Sequence, residues 1–424
     1  MIGNVLWRLF WVNMPAYHDE TFYFDGARAV LRNNLIPWVN FSGYKGPVTY
    51  EPVAFLMGFW GVHRWWARLL IYICSSASLW LIYRLGKKLF GELVGLASAI
   101  LLFLLPLFMA HSLLYTDALP LTMMFLLTLN YYFEGKRSKY FFCSILLVLT
   151  KETAIFIPFF LFILGGGWPI VLVPTIGLGI WMLLNKLILG FYLLPYSVGL
   201  LWSNGWQIRL EQGLMNWGTV WWLMVVLGVV VAKLQNKKIK MKVVSVFLGM
   251  YLFYNLVYGV TYFNQRYLLV VMPLVIMVFV YLLKLFGGNR GLKVGVSVMA
   301  LCLILSQMME WQWGRPVDGG DDLRILKIIS QQRETAKYLS DNYADKIIQT
   351  GWPLANYIND PFYGYVEKSI KITSYNCNGK KSSVDSLAEV VVLSRMDCDM
   401  GVVLEPEWKL VKSWQKGTVQ VYEK

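Results

Sequence analysis

Residues 217–260 read WGTVWWLMVVLGVVVAKLQNKKIKMKVVSVFLGMYLFYNLVYGV. Two apolar runs, Trp217–Ala232 and Val243–Val260, flank a loop that carries Lys233, Lys237, Lys238, Lys240 and Lys242 and no acid. A run of about 20 apolar residues can cross a bilayer. Cationic loops between such runs stay on the cytoplasmic side. The stretch therefore predicts two membrane spans joined inside the cell, and it orients everything around it.

Working outward, further apolar runs occupy Trp66–Tyr83, Leu93–Ala110, Ala118–Tyr132, Trp168–Leu189, Leu268–Leu283 and Val294–Met309. The loops between them repeat the charge pattern: Arg84, Lys87 and Lys88; Lys136, Arg137 and Lys139; Lys284, Arg290 and Lys293. All four basic loops are predicted to be cytoplasmic. Tyr140–Leu164 is long enough for one span, but a single pass would move the five-lysine loop outside. Two short passes with Lys151-Glu152 near the turn keep the basic loops together. Charge at that depth is a functional candidate, and irregular backbone there has to line a cavity. About 17 residues precede His18, Arg8 among them. They are short for a span and lack the charged start and cleavage site of a signal peptide. A short tilted span and a late-starting chain both fit.

Composition agrees. Hydrophobic residues make up 57% of the 424 and charged residues 15%, where a soluble chain carries about 25% charged. A cytosolic enzyme, a disordered scaffold and a disulfide-rich module are excluded. The net charge of +14 lies wholly within residues 1–310, which hold 24 bases and ten acids; residues 311–424 balance at 15 and 15. Bases confined to short loops between apolar runs follow the positive-inside rule and exclude a nucleic-acid surface. The expected fold is an α-helical multi-pass membrane protein over residues 1–310. A small soluble α/β domain follows over 311–424, outside the cell. In it Leu323–Leu339 has helical periodicity, and Lys346–Gln349, Ile370–Thr373 and Val390–Leu393 read as strands.

With ten acids in 310 residues, each position carries weight. Asp19, Glu20, Asp25 and Glu51 share one outer loop region, and Asp117 and Glu211 are also predicted outside. Asp19-Glu20 directly follow the first apolar stretch, and Asp117 opens a span after Tyr115-Thr116. Loop acids are often simply solvated, and Asp117 has the position of a helix N-cap. Two carboxylates on separate loops at one membrane face also suit proton abstraction. Lys45, Lys151 and Arg266 are predicted near the outer leaflet, where a lipid phosphate would be their partner; internal ion pairs are the alternative. Other features carry less. Asp397-Cys398-Asp399 sits in the neutral tail, Gly165-Gly166-Gly167 lacks the Lys-Ser/Thr of a P-loop, and His18, His63 and His111 form no metal-ligand pattern. Cys377 and Cys398 pair or remain as thiols, and Asn40-Phe41-Ser42 fits a glycosylation acceptor. No metal or cofactor is indicated.

The order Asp19-Glu20, Lys45-Gly46-Pro47, Ala67-Arg68-Leu69-Leu70, the run Tyr83 to Gly91, Tyr115-Thr116-Asp117, Thr150-Lys151 and Arg266-Tyr267 with Pro273 resembles the protein O-mannosyltransferase/aminoarabinose transferase superfamily of GT-C glycosyltransferases. The similarity covers roughly residues 15–275, with Gly46 in place of the more usual second-position Pro. The resemblance implies transfer of a sugar from a polyprenyl-phosphate donor at the outer face of the membrane. The acceptor would be a protein, a glycolipid or a lipid-linked glycan. It implies Asp19 as general base, with Glu20 and Asp117 in the same catalytic set, and Lys45, Lys151 and Arg266 as ligands of the lipid phosphate. Phosphate leaves readily, so fixed cations serve such a site better than the second carboxyl of a glycosidase. A non-catalytic flippase or lipid-glycan carrier would need the cations but not the base.

Overall fold

The computed structural model describes residues 8–38, 46–190, 217–260, 265–313, 322–374, 384–394, 402, 404–414 and 419–424. Glu211, Asn40-Phe41-Ser42, Asp397-Cys398-Asp399 and the pair Cys377 and Cys398 lie outside the described residues.

The first described helix, α1 (Glu20–Arg32), is amphipathic. It buries Glu20, Tyr23, Phe24, Ala27 and Val30, the spacing of one helical face, and exposes Phe22. The bundle follows as α2 (Pro47–Trp60), α3 (Trp65–Phe90), α4 (Glu92–Leu104), α5 (Pro106–His111) and α6 (Ala118–Glu134). The Leu93–Ala110 run is not one helix: Pro106 lacks the N–H that would continue it, and the helix breaks at Leu105. Helices α3 and α4 cross closely because neither partner has a side chain at the contact. A Cβ on Gly86 would sit 2.8 Å from the Cα of Gly95.

The Tyr140–Leu164 segment forms two helices, α7 (Arg137–Thr150) and α8 (Phe156–Ile163), separated by extended Lys151 and a 3₁₀ turn at Glu152–Ile155. The segment doubles back. The Tyr132 hydroxyl donates to the Leu161 carbonyl at 3.0 Å, and the Tyr140 hydroxyl to that of Ile170 at 3.1 Å. Both ends therefore lie at one end of the bundle, with Lys151 at the far apex. The Gly165-Gly166-Gly167 stretch is a turn, Gly165 at φ +105°, leading into α9 (Pro169–Leu189). Next come α10 (Trp217–Leu234), α11 (Met241–Val260), a 3₁₀ turn (Gln265–Val270) and α12 (Met272–Trp313), whose two arms meet at non-helical Gly288.

The chain is an integral membrane protein. Among the described residues, four helices are long and apolar enough to cross a membrane: Trp65–Phe90, Pro169–Leu189, Met241–Tyr258 and Met272–Met309. On α9 the exposed residues Leu172, Ile176, Ile180, Leu183 and Leu187 form one apolar stripe, a face suited to lipid rather than water.

The four basic loops converge. Lys240 and Lys284 donate to the carbonyls of Leu89 and Phe90 at the end of α3, Arg84 pairs with Glu134 beside Lys136, and Lys242 lies near Gly165. The C-terminal residues build helix α13 (Ile325–Tyr343) and a five-stranded sheet. Its strands are β1 (Ile348–Thr350), β2 (Ile372–Ser374), β3 (Val390–Ser394), β4 (Lys409–Trp414) and β5 (Val419–Glu423), with α14 (Leu354–Asn359) between β1 and β2. The order is β2-β1-β3-β5-β4, with β1 parallel to β2 and β3, and β5 antiparallel to β3 and β4. The three expected strands are present within two residues of their sequence positions. The sequence reading missed β4 and β5, and β4 is almost wholly exposed and lacks a clean alternation.

Candidate active site

Asp19 and Asp117 stand just before the first turns of α1 and α6 with φ/ψ of −57°/−16° and −70°/−15°. Neither side chain caps its helix, so the N-cap alternative for Asp117 fails. Each carboxylate turns to a cation instead. Asp19 pairs with Arg266 through Oδ2, and its Oδ1 lies 3.2 Å from Nδ1 of His18. Asp117 is buried and pairs with Lys151 at 3.2 Å.

The two pairs form one site. The Tyr267 ring lies 3.8 Å from Nζ of Lys151 and 5.3 Å from the Arg266 guanidinium, between the two cations. Tyr23, buried on α1, is within electrostatic reach of all four charges. Tyr267 also stacks on Tyr258 of α11 at 4.6 Å, and the Tyr258 and Thr153 hydroxyls are 2.7 Å apart, which secures the apex of the α7–α8 turn. Cation–π contact of this kind is worth about 0.5–2 kcal/mol, more as water is excluded. Burial raises the Asp19 carboxyl, but the Arg266 guanidinium and His18 outweigh it. The net shift is well below the usual carboxylate range.

Glu20 is in different surroundings from its neighbour. Its carboxylate is fully buried, takes Arg68 through both oxygens, one at 2.9 Å, and accepts the backbone N–H groups of Tyr17, at 2.8 Å, and Tyr115. Arg68 also donates to the carbonyls of Leu113 and Pro15. This knot binds the strand before Asp19 to the loop before Asp117. Lys45 lies outside the described residues. Its neighbour Gly46 presses on the end of α7, where a Cβ would be 2.0 Å from the Leu149 carbonyl oxygen. A residue with a Cβ does not fit there without a shift of the backbone.

Sequence reasoning named the four charges of the site but assigned no role to Tyr267, Tyr23 or Tyr258. Tyr267 had a signal, since it directly follows Arg266; Tyr23 and Tyr258 had none beyond being aromatic. Among the described residues no group of three or more His, Cys, Asp or Glu side chains gathers as metal ligands.

Residues 45–184 match the family model described as dolichyl-phosphate-mannose-protein mannosyltransferase. The fold matches ArnT from Cupriavidus metallidurans bound to undecaprenyl phosphate, with a TM-score of 0.56 at 11% identity over 99% of this chain and 97% of that one. Over residues 45–184, a third of the chain, the sequence is thus similar to this mannosyltransferase family, and its overall fold is that of ArnT. The apo state of the same ArnT gives a TM-score of 0.54 at 10% identity over 98% of this chain and 95% of that one. No curated protein matches in sequence. The family-model match begins at Lys45 and includes Asp117 and Lys151, whereas Asp19 and Arg266 lie outside it and join the site through the fold alone.

Proposed function

We propose that this protein transfers a sugar from a polyprenyl-phosphate donor to an acceptor hydroxyl at the membrane face opposite the basic loops. The observation that carries the reading is the pairing of the two candidate active-site carboxylates, Asp19 and Asp117, with two of the three candidate phosphate ligands, Arg266 and Lys151, in one cluster around Tyr267. Buried ion pairs are costly to assemble, and polar clusters of this kind in membrane proteins mark substrate sites. The family-model match over residues 45–184 and the undecaprenyl phosphate bound to ArnT support the donor class.

Donor phosphate entering the cluster competes with Asp19 for Arg266 and with Asp117 for Lys151. Asp19 then takes the proton from the acceptor hydroxyl as its oxygen attacks the anomeric carbon. The bond from that carbon to the phosphate oxygen breaks, and its electron pair leaves with the lipid phosphate, stabilised by Arg266 and Lys151. Asp117 orients Lys151. Lys45 is retained as a third phosphate ligand on its place in the sequence motif. Glu20 is not a second base: with both oxygens held by Arg68 and backbone N–H groups, it positions the two active-site loops. The basic end faces the cytoplasm, so the site and the C-terminal domain face outward.

The test is transfer of radiolabelled sugar from mannosyl and aminoarabinosyl undecaprenyl phosphate by purified, reconstituted protein. Donor turnover, to an added acceptor or to water, is expected. Binding or translocation of lipid without turnover would replace the enzyme by a carrier.

A further inference from the structure

We propose that the C-terminal domain completes the catalytic centre, with Tyr357 and Trp352 as positioning residues that hold His18 and, through it, Asp19. The inference rests on the reading of Asp19 as the base.

His18 has φ +46°, a left-handed conformation that a residue with a Cβ adopts at a cost and keeps only when its surroundings impose it. The surroundings come from the far end of the chain. The His18 backbone N–H donates to the Tyr357 hydroxyl, 339 positions later. The imidazole meets the Trp352 indole edge-on at 4.4 Å, and the same indole stacks on Phe22 of α1 at 5.4 Å. Two residues earlier, the Ala16 N–H donates to the Tyr363 carbonyl at 3.0 Å and the Ala16 carbonyl accepts the Tyr365 hydroxyl at 2.7 Å. Residues 16–18 are thus gripped by residues 352–365.

The geometry passes directly to the base. Held this way, the imidazole keeps Nδ1 3.2 Å from Oδ1 of Asp19, while Arg266 takes Oδ2. One oxygen is set by the membrane bundle and the other by a residue the soluble domain controls. The domain has separate anchors that touch neither His18 nor Asp19: Arg28 pairs with Asp360 at 2.6 Å, and the Tyr363 hydroxyl donates to Asp25 at 2.6 Å. A domain that served only as a cover would need these anchors but no grip on His18.

The experiment uses full-length reconstituted protein and measures two quantities: undecaprenyl phosphate affinity, and kcat with KM for sugar release from mannosyl or aminoarabinosyl undecaprenyl phosphate. Misplacing a reacting group by about 1 Å can cost about 100-fold. Tyr357→Phe, which loses only the hydroxyl, is expected to lower kcat about tenfold, and Trp352→Ala further. Donor affinity and KM should stay within about twofold, and Trp352→Phe should recover most of the rate. Arg28→Gln, a change at a separate anchor, should lower thermal stability and leave kcat unchanged. Wild-type kcat in both Tyr357→Phe and Trp352→Ala overturns the inference alone, as does donor affinity falling in step with kcat. A wild type that binds undecaprenyl phosphate but turns over neither donor overturns the functional reading, and this inference with it.

Discussion

The two ends of the bundle treat charge in opposite ways. At the basic end, cations outnumber acids and the cation of each pair stays at least partly exposed. Lys87 and Glu92, 3.1 Å apart, are 50% and 64% exposed, and Lys136, 2.7 Å from Glu134, is 50% exposed. Pairs like these are worth about 0–1 kcal/mol, and a surplus of cations of this kind is what the positive-inside rule reads. At the other end, the Glu20–Arg68 and Asp117–Lys151 pairs are buried. Taking such groups out of water costs several kcal/mol per ion before attraction repays it. Charge at one end is addressed to the membrane; at the other it is addressed to specific partners.

The strongest way to sharpen this contrast is Asp19→Asn. It keeps the size of the side chain but cannot accept a proton, so transfer should fall by about 10²–10⁴-fold with folding and undecaprenyl phosphate binding intact. Asp117→Asn should lose less. Near-normal transfer by Asp19→Asn ends the base assignment.

Next is the Glu20–Arg68 knot, where the effect is on stability. Glu20→Gln leaves a buried guanidinium unpaired, a loss of about 3–5 kcal/mol. Thermal unfolding in detergent should show a large drop in Tm; an unchanged Tm would mean the knot does not hold the two loops together.

Removing the cations should cost less per site. Lys151→Ala and Arg266→Ala each lose a charge-assisted contact of about 1.5–3 kcal/mol, read as weaker undecaprenyl phosphate binding and slower transfer. Arg266→Ala also makes a signed prediction for pH. Arg266 helps hold the Asp19 carboxyl low against burial. Without it the folded-state value rises, so the acid limb of the residual transfer rate should move to higher pH. An unmoved limb would detach Asp19 from the pH profile.

The smallest effects belong to the basic end. Glu134→Gln removes only partly exposed pairs and should change stability by no more than about 1 kcal/mol. A cysteine at Lys238 should resist an impermeant thiol reagent in intact cells. Its labelling would invert the orientation and place the active site inside.

Much of this was legible from residues alone, for identifiable reasons. Apolar runs and loop lysines report on the membrane directly, because transfer into lipid depends on composition and length more than on any partner. The α7–α8 turn was legible because a single pass would have separated the basic loops. Helix breaks such as the one at Pro106 were missed because hydropathy does not register a lost N–H. Strands β4 and β5 were missed because β4, almost wholly exposed, has no period-2 pattern for the eye to follow.

By itself the sequence determined the membrane class, the basic end, and which few charged groups stood far from it. Only the tertiary structure decided which partner each of them meets. Asp19 and Glu20 are adjacent and chemically alike, yet successive residues entering a helix are turned by about 100°. That turn sends Glu20 into the bundle toward Arg68 and leaves Asp19 facing Arg266 and His18. The cations that distinguish the two carboxylates, Arg68 for Glu20 and Arg266 for Asp19, lie 48 and 247 positions away along the chain, and no local pattern encodes a contact made only when distant segments pack.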